Sequence, residues 1–482
     1  MPATTGAIRT GPRRTCQRPN LKSSRLNPKS KTKPALQLMQ FDEAVKYLLS
    51  LGHETLAMKL GLANVERLLA ALDQPHRDFP AVQLAGTNGK GSTAAMLDAI
   101  TRAAGIRTGL YTSPHLVSIT ERIRLDGEEI APADFARSAT RVRAAAEALY
   151  EETGARPTFF EQTTAIALVA FREARVQLAI LETGLGGRLD ATTAAHAETV
   201  ALTPIALDHQ AYLGSTLTEI AAEKAAIIRA DTSVVVAPQP PEARAVILAR
   251  CRECNVTPRF VDADARVLAA TTDGQLCATF QTAQDVYANV RLALRGRHQL
   301  TNAAVAIALA ETLRARGCAI TRAAIIEGLQ TAVHPGRLEF RSGAPALLFD
   351  GAHNPAGAEA LRAYFDEFVH VPITLVFGAM SDKELDKIIA ALCPVGAHVI
   401  LTQPTNPRAA ALDTLKRIAA PHTKAHTLEL AATPAEAMRR AVAVTPPDGL
   451  ICVTGSLYLI GEVQALLQRQ TGQLRETGQL KA

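Results

Sequence analysis

The sequence predicts an α/β fold in two parts. The larger N-terminal part carries a mostly parallel sheet, and a smaller Rossmann-like α/β part follows it. Three observations predict this. Short apolar runs that read as buried strands alternate with helical stretches, as parallel βαβ units require. The first strong strand runs straight into a glycine-rich turn that opens a helix. The alternation then restarts after about His334, just where Pro335-Gly336 offers a hinge.

Composition sets the limits. A chain of 482 residues holds about two to four domains. With 48% hydrophobic and 20% charged residues it is an ordinary globular mix, not a disordered or collagenous chain. No apolar run reaches the ~18 residues needed to cross a bilayer, so no membrane partner is expected. Seven scattered cysteines do not make a disulfide framework, and a reducing, cytoplasmic setting suits them. The chain has no Trp, which argues against aromatic platforms for single-stranded nucleic acid.

The net charge of +6 belongs to a tail. Residues 1–38 hold nine Lys and Arg and no acid, so the remaining body is slightly acidic, at −3. This extension is rich in Ser, Thr, Pro and Arg, lacks apolar periodicity, and is expected to be disordered. It reads as an extension upstream of a functional start at Met39, an organelle transit segment, or a nucleic-acid-binding arm.

From Phe41 the pattern is helical: Phe41, Val45, Leu48 and Leu49 share one face, and Val65, Leu68, Leu69 and Leu72 another. Val82–Ala85 is a short strand and Ala94–Ala104 a helix. Further buried strands are expected at Val176–Leu181, Val200–Ala206 and Val234–Ala237, with a helix over Glu219–Arg229. In the second part, strands are expected at Ala346–Phe349, Ile373–Phe377, His398–Leu401 and Leu450–Val453. Helices are expected at Ala356–Phe368, Lys383–Leu392, Leu412–Ala419 and Pro434–Ala443.

The strongest motif is Gly86-Thr87-Asn88-Gly89-Lys90-Gly91-Ser92-Thr93. Glycines let backbone N–H groups curl around phosphate oxygens, and the helix N-terminus adds positive potential. Lys90 can reach the outer phosphates, and Ser92 or Thr93 can give a hydroxyl to Mg²⁺. The bland alternative is a turn that binds nothing; strand, lysine and tandem hydroxyls together argue against it. Gly91, between the lysine and Ser92, departs from the usual spacing of kinase and GTPase loops.

Glu182 ends an apolar strand beside Gly184, Gly186 and Gly187. Ligands gather at the carboxyl ends of strands in open α/β sheets, and a carboxylate there can bind nucleotide Mg²⁺. On its own Glu182 would be a solvated strand-end acid. His209 follows the next strand and is either a metal ligand or a loop cap. Lys224 sits among Ala and Ile on a helix, as a Glu–Lys helix pair or as a partly buried functional lysine. Cys251-x-x-Cys254 has no second pair, so zinc is not expected.

Ten segments in order, spanning about residues 40–462, resemble the folylpolyglutamate synthase / dihydrofolate synthase family within the Mur ligase superfamily. They are Gly86–Ser92, Tyr111-Thr-Ser-Pro-His-Leu116, Glu121-Arg122, Phe159-Phe-Glu-Gln-Thr-Thr164, Glu182–Ala191, Asp208-His209, Glu223-Lys224, Gly296-Arg-His-Gln-Leu-Thr-Asn302, His334-Pro-Gly-Arg-Leu-Glu339 and Asp350-Gly-Ala-His-Asn-Pro355. Beyond the basic extension (1–38), the resemblance implies a P-loop-containing ATP-binding domain (39–332) and a Rossmann-like ligase domain (333–482). It implies that Lys90 holds the ATP phosphates and that Ser92 and Glu182 bind one Mg²⁺. Glu182, His209 and a carbamylated Lys224 would bind a second. Asn302 would approach the adenine, Arg337 the γ-phosphate and Asp350 the ribose. Ser113, Pro114 and His115 would line a pterin-side pocket, and His353 and Asn354 would lie near the interdomain cleft. Ala225 stands where the family often has Gly, and the basic extension has no family counterpart.

The implied reaction is ATP-dependent ligation of L-glutamate to dihydropteroate and to the γ-carboxyl of tetrahydrofolate polyglutamates, through an acyl phosphate, by a monomer. The rival readings are one folate activity alone, a muramyl-peptide ligase, and a nucleotide-binding module that ligates nothing.

Overall fold

A computed structural model of the chain describes residues 37–52, 61–261, 265–271, 273–424 and 427–476. The expected disordered extension, 1–38, lies outside the described residues apart from 37 and 38. Leu38–Ala482 forms one unit.

The N-terminal part is built on eight strands: β1 (Ala81–Ala85), β2 (Thr108–Tyr111), β3 (Ile123–Leu125), β4 (Glu128–Glu129), β5 (Leu178–Glu182), β6 (Thr199–Leu202), β7 (Ser233–Val236) and β8 (Pro258–Phe260). Their order is β4-β3-β2-β5-β1-β6-β7-β8. From β2 to β8 every pairing is parallel, and only β3 and β4 run antiparallel at the edge. The helices are α1 (Phe41–Ser50), α2 (Ala63–Ala71), α3 (Lys90–Ala103), α4 (Pro132–Thr153), α5 (Phe159–Glu173), α6 (Gln210–Leu213), α7 (Leu217–Ala225), α8 (Pro241–Glu253), α9 (His298–Ala315) and α10 (Arg322–Thr331). They cover both faces of the sheet, which is why its strands read as unbroken apolar runs. Tyr111, Ala179 and Leu181 pack with Phe135 of α4 and Ile166 of α5 on one side. Val82, Leu84 and Ile180 pack with Met96 of α3 and Val305 of α9 on the other.

A three-stranded antiparallel sheet, β9 (Ala265–Ala270), β10 (Leu276–Gln281) and β11 (Val286–Arg291), was not expected from the sequence. Ala278, Phe280, Tyr287 and Val290 bury its inner face in the same core as α9.

The C-terminal part has a six-stranded sheet, β12 (Glu339–Arg341), β13 (Ala346–Asp350), β14 (Ile373–Phe377), β15 (His398–Thr402), β16 (Leu428–Ala431) and β17 (Leu450–Thr454). The order is β12-β13-β17-β14-β15-β16, parallel except for β12. Helices α11 (Pro355–Phe368), α12 (Leu385–Leu392) and α13 (Leu412–Ala419) pack on one face, and α14 (Pro434–Val444) and α15 (Leu457–Glu476) on the other.

The expected strands and helices are present with shifted ends. The strand expected over 200–206 stops at Leu202, because Pro204 has no N–H for a ladder. The helix expected from Ala94 begins at Lys90, and the one expected to reach Arg229 ends at Ala225. Among the described residues no helix is long and apolar enough to cross a membrane.

Candidate active site

The position of β1 decides where the site lies. It pairs with β5 on one side and β6 on the other, with Leu84 opposite Glu182 and Ala85 opposite Leu202. The loops leaving the three carboxyl ends therefore meet: 86–92, 183–190 and 203–209. Pro204 O accepts from Thr87 N at 3.0 Å and Asn88 N at 3.2 Å, and Thr87 Oγ1 donates to Ala206 O at 3.0 Å. Asp190 holds the second loop, accepting from Gly184 N and Leu185 N at 2.8 and 2.9 Å.

These loops line a cavity of about 360 Å³ together with Arg337, Asp350 and His353. Lys90 Nζ donates to Gly86 O at 3.1 Å and Thr87 O at 3.2 Å. Lys224 Nζ donates to the same Gly86 O at 2.9 Å. Burial lowers the Lys90 ammonium, opposed by the Glu182 and Asp208 carboxylates. Burial also brings Lys224 down to about 7, with Lys90 adding repulsion. Glu182 is raised by burial, opposed by Lys90 and by the Ser113 N–H, which donates to its Oε2 at 3.2 Å. Burial pushes His298 to about 4 and His334 to about 3, so both imidazoles are neutral near pH 7.

Of the two hydroxyls after the loop, Ser92 lines the cavity and Thr93 is fully buried away from it, its Oγ1 without a hydrogen-bond partner. Asn302 lines the cavity and donates to Gln299 Oε1 at 2.9 Å. Asp350 accepts from Leu338 N at 2.9 Å and Ala352 N at 3.0 Å.

Residues to which sequence reasoning gave no role, Asp208, Lys383, Gln210 and Glu384, join the two sheet systems here, together with His353 and Asn354, which the resemblance put near the cleft. Asp208 is buried against Lys383 Nζ at 2.6 Å, Asn354 Nδ2 at 3.0 Å and His353 Nε2 at 3.6 Å. Burial raises its carboxyl, but contact with the His353 ring and the Lys383 ammonium outweighs this and holds it well below the usual range. Asn354 Nδ2 also donates to Asn88 Oδ1 at 3.0 Å, and Gln210 Nε2 donates to Glu384 Oε1 at 3.0 Å. Lys383 is 175 positions from Asp208, a separation at which the sequence carries no pairing signal.

A second cavity, of about 510 Å³, shares Ser113, Pro114, His209 and His353 with the first and adds Phe160, Arg188, Tyr212, Arg408 and Tyr458. Ser113 and Pro114 thus stand between the two. His115 lines neither cavity; its Nδ1 accepts from Arg122 Nε at 2.8 Å.

The donor set fits a hard divalent cation. The Ser92 hydroxyl, the Glu182 carboxylate, His209 and Lys224 line one cavity, and His209 Nδ1 is buried without a hydrogen-bond partner. Among the described residues no three His, Cys, Asp or Glu side chains converge as a metal site. A second ion would therefore depend on the anionic oxygens that carbamylation of Lys224 creates.

The chain is similar to known proteins over most of its length. The model of the Mur ligase middle domain matches residues 84–310, and that of the Mur ligase, glutamate ligase domain matches 336–457. A dihydrofolate synthase/folylpolyglutamate synthase of Mycobacterium tuberculosis is 37% identical over 372 residues, covering 73% of this chain and 76% of its own length. A probable bifunctional folylpolyglutamate synthase/dihydropteroate synthase of Haloferax volcanii is 36% identical over 437 residues; the chain spans about half of that relative, 51%. Among solved structures, Mycobacterium tuberculosis folylpolyglutamate synthase complexed with ADP superposes with a TM-score of 0.83 at 32% identity, covering 88% of this chain and 98% of its own. Escherichia coli FolC in complex with DHPP and ADP gives 0.79 at 30% identity, covering 90% and 99%. A bifunctional folylpolyglutamate synthase/dihydrofolate synthase with Mn, AMPPNP and L-glutamate bound gives 0.77 at 30% identity, covering 90% and 100%.

Proposed function

Because the chain belongs to the folylpolyglutamate synthase/dihydrofolate synthase family of Mur ligases, we propose that it joins L-glutamate to dihydropteroate and to the γ-carboxyl of tetrahydrofolate polyglutamates at the expense of ATP. The observation that carries this reading is that two cavities lie side by side and share lining residues. The one at the phosphate loop meets a larger one across Ser113, Pro114 and His353. A nucleotide and a carboxylate-bearing acceptor can then meet at their junction. The bound ADP, AMPPNP, DHPP and L-glutamate of the structural relatives support it.

In the first step a carboxylate oxygen of the folate substrate attacks the γ-phosphorus, the bond to the β,γ-bridging oxygen breaks, and ADP leaves. The acyl phosphate formed is electrophilic where the carboxylate was not. The glutamate nitrogen then attacks the acyl carbon, the C–O bond to phosphate breaks, and the amine gives up its proton. Bringing a carboxylate to a phosphate requires neutralised charge, which Lys90 and Arg337 supply. Asn302 and Asp350 hold the adenosine, and His353 and Asn354 stand at the cleft where the amine enters. A divalent cation held by Ser92 and Glu182 would neutralise further phosphate charge. Lys224, with its ammonium near neutrality, is suited to carbamylation: the free amine attacks CO₂, an N–C bond forms and one proton leaves. The carbamate and His209 would then serve a second ion.

The same reading divides the chain into an ATP-binding domain, 39–332, and a ligase domain, 333–482. The enzyme acts as a monomer in a reducing cytoplasm; the described cysteines are all free. The test offers dihydropteroate and tetrahydrofolate separately, with ATP and glutamate, and follows phosphate release and product mass. Glutamylated product from both supports the bifunctional assignment, and product from one alone restricts it. Product from neither, with a muramyl-peptide carrier accepted instead, would replace it.

A further inference from the structure

Among the described residues the hydroxyl of Ser92 has two hydrogen-bond neighbours, both from outside the phosphate loop. His334 Nδ1, from the linker between the two sheet systems, lies 3.2 Å from Ser92 Oγ. Gln299 Nε2, from α9, lies 3.4 Å from the same oxygen. Gln299 is itself fixed, with its Oε1 accepting from Asn302 and its Nε2 at 3.1 Å from His298 Nε2. An amide nitrogen only donates, so Gln299 occupies one lone pair of the hydroxyl. In the neutral tautomer protonated at Nε2, His334 accepts the single hydroxyl proton at Nδ1. One lone pair then remains for the cavity. Without this acceptor the hydroxyl is free to rotate its proton toward the cavity, where it would oppose a cation.

Gly91 supplies a second observation. A Cβ at this position would lie 2.5 Å from His334 Cε1 and 3.3 Å from Glu182 Oε2. The histidine ring fills the space that any side chain at 91 would take. The glycine between Lys90 and Ser92 thus has a steric reason: it seats the linker histidine against the loop.

We propose that His334 is a positioning residue for the nucleotide-bound divalent cation, and that through it the linker between the two sheet systems orients the phosphate-loop hydroxyl. This rests on the reading that Ser92 is a ligand of that cation. The test is Mn²⁺ binding to the full chain in the presence of ADP, followed by electron paramagnetic resonance, beside steady-state kinetics in Mg²⁺. His334→Leu keeps the bulk and removes the acceptor. It is expected to weaken Mn²⁺ binding by about tenfold or more, and to raise the Mg²⁺ needed for half-maximal rate by the same factor. ADP affinity in EDTA stays unchanged. His334→Asn returns an acceptor to nearly the same place and recovers most of the loss. Gly91→Ala displaces the ring and reproduces the leucine defect, which keeps the comparison available if the leucine variant does not fold. Equal Mn²⁺ affinity in the wild type and His334→Leu, or equal defects in the Leu and Asn variants, would overturn the positioning role while leaving folate ligation untouched. A wild-type chain that binds ADP but takes up no Mn²⁺ would overturn both the ligand reading and this proposal.

Discussion

Two lysines share one carbonyl, Gly86 O, and their surroundings separate their chemistry. Burial lowers both: Lys90 keeps the support of Glu182 and Asp208, whereas Lys224, repelled by Lys90 and supported by Asp208 and Asp190, is brought to about 7. Replacing Lys90 by Met is expected to lower phosphate release by about 10²-fold or more with the melting temperature little changed, since its charge is used mainly in the transition state. Normal turnover in a folded variant would remove Lys90 from the mechanism. For Lys224, incubation with ¹³C-bicarbonate should give a carbamate resonance that Lys224→Gln abolishes; no such signal in active wild-type protein would contradict carbamylation. Away from the site, burial lowers His76 to about 4, with His196 and Arg77 adding repulsion. Its folded value lies below the unfolded one, so the unfolded state binds more protons between about pH 6.5 and 4. Stability should fall as pH drops through that window, by roughly 1–3 kcal/mol from this group. His76→Gln should flatten that part of the urea-midpoint profile; an unchanged slope would reject the assignment.

At the scale of elements, α3 and α10 pack with their backbones in close approach. A Cβ at Gly328 would lie 2.3 Å from both Cα and N of Ile100, and a helix backbone has no room to yield. Gly328→Ala is expected to cost about 3 kcal/mol in urea unfolding, against the small gain that Ala normally brings inside a helix. A neutral result would mean that the two helices can separate. Much of the site was legible in the sequence because it sits on β1, β5 and β6, whose apolar runs end abruptly in glycine, acid or histidine. The glycine loop, Glu182, His209 and Lys224 all line one cavity; local spacing pointed to the first two, and only the family resemblance singled out His209 and Lys224. What escaped was of two kinds. The strands of the β9–β11 sheet are not unbroken apolar runs: β10 buries only every second residue, Leu276, Ala278 and Phe280, with Cys277 and Thr279 partly exposed between them, so no buried run stands out. The Asp273-Gly274 pair was its one local signal. The other kind is long-range pairing, such as Gln299 and His334 on Ser92, which no local spacing encodes.

For the whole molecule, Asp208 is one of several connections between the two sheet systems, beside Gln210–Glu384, Arg297–Glu367 and Tyr364 on Asp273 O. Its buried pair with Lys383 spans the cleft, and Asn354 links the same carboxylate to Asn88 of the phosphate loop. The phosphate loop is thereby coupled to the C-terminal sheet system. Breaking a buried pair from one side leaves a charge without its partner. Lys383→Met is expected to cost about 3 kcal/mol and to increase proteolysis within the linker, 333–338. An unchanged cleavage pattern would show that the contact does not hold the two parts together. The central claim concerns the complete reaction, and one measurement tests it most directly: glutamate-dependent phosphate release with mass detection of product, from dihydropteroate and from tetrahydrofolate in separate reactions. The account predicts one phosphate and one added glutamate per turnover with each substrate. ATP bound, but no glutamate joined to either substrate, would contradict it.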